Sequence, residues 1–228
     1  MNELIWFLFA IVNFVLILIV YKIFGKTGLF AWIAMGTVIA NIQVTKTIEL
    51  FGLTATLGNV MYGTLFLATD ALNEKYGIKD AKKAVYLGFA SLLGMVIIMQ
   101  MALWFTPSSE DFAHEALQTI FGIIPRIALG SIIAYLVSQL LDVYIFQRIK
   151  AKFPTDQALY IRNIGSTLIS QFVDTLIFVP IAFLGLYDMS ILISIFITTY
   201  LIKLMVALLD TPFVYMIKKI TPLENNKS

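Results

Sequence analysis

An all-α, polytopic membrane helix bundle is the fold class this sequence predicts, and three observations carry the prediction. Hydrophobic residues make up 60% of the 228-residue chain, charged residues only 13%, and the mean hydropathy is +0.89; in a soluble domain roughly a quarter of the residues are charged. Seven apolar runs are long enough to cross the hydrocarbon core, which takes about 20 helical residues. Basic residues fall in alternate connections between those runs, the pattern produced by the excess of Lys and Arg in short cytoplasmic loops.

The runs cover 4–24, 29–49, 53–72, 83–105, 119–146, 164–186 and 189–217. The first has no basic leader and no small-residue cleavage site, so it reads as a retained helix rather than a signal peptide. The second and third are the most polar: one carries Asn41, Gln43, Lys46 and Glu49 toward its end, and the other is rich in Gly and Thr and closes on Asp70. Alternate connections hold Lys22 and Lys26, then Lys75, Lys79, Lys82 and Lys83, then Arg148, Lys150, Lys152 and Arg162, then Lys218, Lys219 and Lys227. The intervening connections hold Glu49, the acidic stretch 108–115 and Asp188, and no basic residue. This split places the N-terminus outside and the C-terminus in the cytoplasm.

Composition and motifs also exclude function classes. A net charge of +2 without a basic, aromatic-interleaved block offers nucleic acid no electrostatic footprint. The absence of cysteine excludes disulfides, thiol chemistry and Cys-based metal sites. No nucleotide-binding Gly-x-x-x-x-Gly-Lys-Ser/Thr loop and no Gly-x-Ser-x-Gly elbow occurs, and the lone His114 has no His-Glu-x-x-His partner. Neither Asp142 nor Asp174 has the glycine-flanked setting of intramembrane aspartyl proteases. No enzyme, cofactor or metal is therefore expected; the expected partners are a small-molecule substrate and the bilayer, with a homodimer or an energising subunit left open.

Ionisable groups at membrane depth are costly, so they face the bundle interior or water and pair with one another. Lys46, Arg126 and Lys203 are the basic residues not assigned to loops, and Asp70, Asp142, Asp174 and Asp210 are the matching acids. Asp174 and Lys203 lie near mid-span, where a side chain cannot reach the interface, and are the leading site candidates. At about 100° per residue, Asn163, Ser166, Thr167, Ser170, Gln171 and Asp174 share an arc of about 140°, opposite Leu168, Ile169, Val173 and Leu176. Ser131, Tyr135, Ser138, Gln139 and Asp142 on the preceding helix share about 100°. The two stripes extend to a repeat, Ser-Gln-x-x-Asp-x-x-Ile-Phe, at 138–146 and 170–178. In antiparallel neighbours the copies enter the membrane from opposite sides, as in transporters whose site lies between related elements near the midplane. Close packing by small residues is the competing account; it covers the serines but not the paired Gln and Asp. Such a face suits a polar, planar solute: a carboxylate accepts from adjacent N–H groups, an amide offers a donor and an acceptor, and Lys donates to a carbonyl. Trp32, Tyr62, Tyr135 and Tyr200 are candidates to stack its ring.

Phe66-Leu67-Ala68-Thr69-Asp70 followed by Glu74-Lys75-Tyr76-Gly77, with Asn41 upstream, resembles the signature region of the bacterial queuosine precursor transporters, a group related to vitamin-uptake transporters. Arg126-Ile127-Ala128 with Ser131, Gln139-x-x-Asp142-x-x-x-Phe146, Ser166-Thr167, Asp174-Thr175-Leu176 and Tyr200-x-x-Lys203 continue the resemblance in order through 29–217. It implies a six-helix core over 27–220 resembling the membrane-embedded binding subunit, the S-component, of vitamin importers. Residues 1–26 then form an additional N-terminal helix and 221–228 a cytoplasmic tail. The implied activity is import of 7-deazaguanine precursors of tRNA queuosine: 7-cyano-7-deazaguanine, 7-aminomethyl-7-deazaguanine or queuine. The alternatives are a binding subunit needing a separate ATPase, or a membrane protein that does not transport. The expected site centres on Asp174 and Lys203, with Gln139, Gln171 and Ser170 beside them, Tyr200 one turn before Lys203, and Asn41 and Arg126 toward the outer mouth. Asp70 and Asp142 are further acids available to the substrate.

Overall fold

The computed structural model describes the backbone of residues 1–152 and 159–223, and within the helices the side chains of several residues, including Glu74, Gln139, Asp142, Lys150, Asn163, Ser166, Thr167, Asp210 and Lys218, lie outside the described set. The side chain of Arg162, within a helix rather than a loop, and the tail residue Lys227 also fall outside it. Helix α1 covers Asn2–Gln43, followed by strands β1 (Thr47–Leu50) and β2 (Leu53–Thr56), then α2 (Asn59–Tyr76), α3 (Ile78–Leu103), α4 (His114–Lys152), α5 (Leu159–Phe183) and α6 (Met189–Lys219).

Gly25 divides α1 into two limbs. Its φ of 53° and ψ of −135° suit a residue without Cβ. A Cβ on Gly28 would stand 2.7 Å from the Val20 carbonyl oxygen, a contact impossible along one continuous helix, where eight residues advance about 12 Å. The chain therefore folds back at Gly25, and Asn2 donates to the Glu49 carbonyl at 2.9 Å beyond the far end of the second limb. The first two apolar runs are thus separate antiparallel limbs, as the sequence predicts.

The connection after them differs from the prediction. The second run was expected to stay helical to Glu49 and the third to begin at 53; instead α1 ends at Gln43 and residues 47–56 form a two-stranded antiparallel hairpin, with Leu50 paired to Leu53. The reason is local: β-branched Thr47, Ile48, Thr54 and Thr56 flank a two-residue turn in which Phe51 and Gly52 both have positive φ, 52° and 78°, matching the twist a tight hairpin needs. Lys46 consequently lies exposed at the hairpin base rather than within a span, so the first of the intervening connections does hold a basic residue. The hairpin is fastened at both edges. Glu3 accepts the Phe51 N–H at 3.2 Å, the Thr54 N–H donates to Ser194 Oγ at 2.8 Å, and Thr198 Oγ1 donates to the Thr54 carbonyl at 2.8 Å.

Helices α2, α3, α4, α5 and α6 form a closed ring in which each packs on the next and α6 returns to α2, while α1 lies against α2 and α3. One core cluster joins α1, α2 and α6 through residues such as Phe14, Tyr21, Leu67 and Val206; a second joins α4, α5 and α6 through Ile127, Phe178, Phe183 and Ile195. The outward faces stay apolar at helical spacing: Leu4, Leu8, Ile11, Val15 and Ile19 on the first limb, and Leu168, Ile169 and Leu176 on α5, are exposed. That is the arrangement of helices solvated by lipid rather than water. By length and composition four described helices can cross a membrane: Asn2–Gln43, Ile78–Leu103, His114–Ser138 and Met189–Val206. The polar α2 is not among them, and α1, α3 and α6 surround it.

Two polar ends result. At one end Lys22 donates to the Thr221 carbonyl at 2.9 Å, Lys26 pairs with Asp80 at 2.7 Å and Lys75 donates to the Ile220 carbonyl at 2.6 Å. The opposite end holds the hairpin and the 104–113 loop, where Asp111 Oδ1 accepts the Ala113 and His114 N–H groups at the start of α4.

Small residues let the ring close. Gly63 of α2 leaves no room for a methyl group against Val206 Cγ1 of α6. Gly63→Ala is expected to cost about 1–3 kcal/mol of stability, read as a lowered unfolding temperature in detergent, and adding Val206→Ala should recover most of the loss.

Candidate functional site

The ring's helices leave between them a narrow cleft of about 50 Å³. Helical spacing explains its lining. Asn59, Tyr62 and Phe66 stand on one face of α2; Ser131, Ala134 and Tyr135 on one face of α4; Asp174 and Phe178 one turn apart on α5; Lys203 enters from α6 and Val44 from the end of the second limb.

At its centre Lys203 Nζ donates to Asp174 Oδ2, an ion pair whose side chains are only 12% and 15% exposed. Ser138 Oγ donates to Asp174 Oδ1 at 3.1 Å, so α4, α5 and α6 meet at one carboxylate. This geometry accounts for half of the Ser-Gln-x-x-Asp repeat. With α4 and α5 antiparallel, the Ser of the first copy faces the Asp of the second. Asp142, whose partner would complete the pattern, lies outside the described residues, as does Gln139.

Behind the α2 and α4 walls sits fully buried Asn41. Its amide nitrogen donates to the Thr37 carbonyl at 2.8 Å and to Tyr62 Oη at 2.9 Å, while Ser131 Oγ donates to Asn41 Oδ1 at 3.0 Å and Tyr62 Oη to Ser131 Oγ at 3.2 Å. Asn41 therefore reaches the cleft through Tyr62 and Ser131 and does not line it.

The remaining expected residues are placed as follows. Gln171 stands one turn before Asp174, and its buried Oε1 has no hydrogen-bond partner among the described residues. Ser170 is buried beside it. Asp70 is exposed one turn beyond Phe66, on the same face of α2 but outside the lining. Tyr200 Oη donates to the Leu168 carbonyl at 3.2 Å and its ring packs edge-on against Phe172, between α5 and α6 and away from the cleft. Arg126 is spent on the carbonyls of Pro180, Ile181 and Leu184, fastening the start of α4 to the end of α5. Of the candidate aromatics, Tyr62 and Tyr135 line the cleft, whereas Trp32 is buried with its Nε1–H on Thr64 Oγ1 at 3.0 Å. Asn59 and Phe178 were not anticipated. The 59, 62, 66 spacing on α2 and the 174, 178 spacing on α5 are the signals that find them.

The arrangement is a recognition site. Asp174 has spent one lone pair on each oxygen and keeps another on each, a two-pronged acceptor; Lys203 keeps ammonium hydrogens for a carbonyl; Phe66, Tyr135 and Phe178 supply flat apolar walls. Neutralising one partner leaves the other charge buried. Asp174→Asn or Lys203→Met alone should each destabilise by about 3–5 kcal/mol, whereas the double variant should regain most of the unfolding temperature and still fail to bind ligand, as measured by thermal unfolding and equilibrium binding in detergent.

Comparison with known proteins shows the family. The family described as "Putative vitamin uptake transporter" matches residues 56–217. The chain is 54% identical over 227 residues to the "Probable queuosine precursor transporter" of Bacillus subtilis (strain 168), covering 100% of this chain and 99% of that protein. It is 29% identical over 146 residues to the "Queuosine precursor transporter" of Escherichia coli (strain K12), covering 63% of this chain and 62% of that one. The "Probable queuosine precursor transporter" of Haemophilus influenzae (strain ATCC 51907 / DSM 11121 / KW20 / Rd) is 28% identical over 133 residues, 58% of this chain and 54% of the relative. No solved structure matches. With one relative matched along its whole length and the family matched over most of the chain, this protein belongs to the queuosine precursor transporter family of vitamin-uptake-type membrane transporters.

Proposed function

We propose that this chain imports queuosine precursors, 7-deazaguanine bases destined for tRNA, across the bacterial plasma membrane. The observation that carries the proposal is the buried Asp174–Lys203 pair in an aromatic-walled cleft. A deazaguanine presents on one edge a ring N–H and an exocyclic amine next to a carbonyl oxygen. Asp174 accepts from the two donors while Lys203 donates to the carbonyl, so the ion pair persists and each member adds bonds to the ligand. Phe66, Tyr135 and Phe178 cover the ring faces. Gln171, with its unpartnered Oε1 one turn away, is the nearest reserve acceptor for a rearranged site.

In this reading the six helical segments after Gly25, within 27–220, are the transporter core and the first limb, within 1–26, is an addition; no residue of that limb lines the cleft. The core orientation follows from charge. The gathering of Lys22, Lys26 and Lys75 at one end supports a cytoplasmic location for that end, with the hairpin and the N-terminus outside.

The test uses a bacterium lacking both queuosine precursor synthesis and its own importer. With this chain expressed and each deazaguanine supplied at nanomolar level, queuosine should return to tRNA, and Asp174→Asn at equal membrane abundance should abolish the return. Wild-type protein confirmed in the membrane with no restoration by any of the three precursors would sink the proposal.

A further inference from the structure

The hydrogen-bond ring formed by Asn41, Tyr62 and Ser131 has only one possible direction. The Thr37 carbonyl can only accept, so the Asn41 nitrogen faces it, and the two amide hydrogens go to Thr37 and to Tyr62 Oη. Asn41 Oδ1 can only accept, so Ser131 gives it its single hydrogen. Ser131 must then accept from Tyr62, which commits the phenol hydrogen as well. Every polar hydrogen of the three side chains is spent, one of them on the Thr37 carbonyl. Asn41 is completely buried and has no other partner among the described residues, so the circuit holds the Tyr62 and Ser131 hydroxyls fixed on the cleft wall. What each presents to a ligand is a lone pair.

We infer that this ring makes the Tyr62–Ser131 patch of the cleft wall acceptor-only, and that this patch selects ligands bearing an N–H donor beyond those taken by Asp174. The inference rests on the reading of the cleft as a deazaguanine site. Once Asp174 and Lys203 engage the amide edge of such a base, the bicycle itself has one N–H left, the pyrrole nitrogen of its five-membered ring. An acceptor-only patch suits that group and penalises a ligand whose ring atom there is another acceptor, because two facing lone pairs leave buried polar groups unpaired. Asn41 acts here as a positioning residue: it touches no ligand but dictates what Tyr62 and Ser131 can offer. The ligand class selected is the free base, since the nucleoside has no hydrogen on that nitrogen.

The experiment compares 7-deazaguanine with its furo analogue, in which oxygen replaces the pyrrole N–H at nearly unchanged shape, by equilibrium binding to the purified full-length protein. Wild type should bind the furo analogue about tenfold or more weakly. Ser131→Ala frees the Tyr62 hydrogen to point into the cleft, and the ratio should fall to about twofold. Equal binding of the two ligands by wild type overturns the inference while leaving the transport reading intact, as does a Ser131→Ala protein that loses affinity for both by the same factor, the result for a ring that only packs helices. No binding of either ligand by wild type overturns the deazaguanine reading itself. If Ser131→Ala does not fold, the wild-type ratio alone decides.

Discussion

A carboxylate and an ammonium held together inside an apolar helix ring constrain everything else in this protein. Neither charge survives alone at that depth, since removing an ion from water costs several kcal/mol after relaxation. Asp174 on α5 and Lys203 on α6 must therefore stay in register, and Ser138 adds α4 to the same carboxylate. Arg126 works at the neighbouring end of the same helices. Pro180 lies near the end of α5, and the guanidinium donates to the carbonyls of Pro180, Ile181 and Leu184 there, where helix-end carbonyls lack a full set of intrahelical partners. Two cationic side chains thus do different jobs, one within the cleft and one at its frame.

A second consequence concerns how a cleft persists in lipid. Hydrophobic burial between helices is weak there, so close approach of backbones and interhelical hydrogen bonds have to hold the ring. Gly63 against Val206, Gly36 against Leu65 and Met61, and Gly88 against Thr37 bring α2, α6, α1 and α3 close together around the outside. The polar links all cross between helices: Asn41 to Tyr62, Tyr62 to Ser131, Ser138 to Asp174. These contacts close the ring's perimeter, and the cleft lies between the inward faces of α2, α4, α5 and α6. The hairpin after the second limb is tied to α6 by hydrogen bonds from Thr54 to Ser194 and from Thr198 to Thr54.

Much of this was readable from the chain. The membrane class, the apolar faces, the basic end and the pairing of mid-span Asp174 with Lys203 all follow from one rule, that lipid tolerates apolar surface and paired or satisfied polar groups. The hairpin was not read, because its residues sit between two apolar runs and carry enough Ile, Leu and Phe to pass as span ends. Only their β-branched pattern and the Phe51-Gly52 turn argue otherwise, and propensity over four residues is a weak signal beside hydropathy over twenty. Arg126 and Tyr200 share helices and motif spacing with site residues, yet they point to the α5 end and the α5–α6 seam.

Hydropathy, charge spacing and helical periodicity are local or additive properties, so the sequence by itself determined the solvent, the all-helical class, the apolar outward faces, and which ionisable groups had to find partners. Which partner each one found depends on how antiparallel helices slide and rotate against one another, a matter of side-chain packing between segments distant in the chain. The tertiary structure alone therefore decided that Ser138 meets Asp174, that Asn41 serves Tyr62 and Ser131 from behind the wall, and that Arg126 is spent on backbone carbonyls.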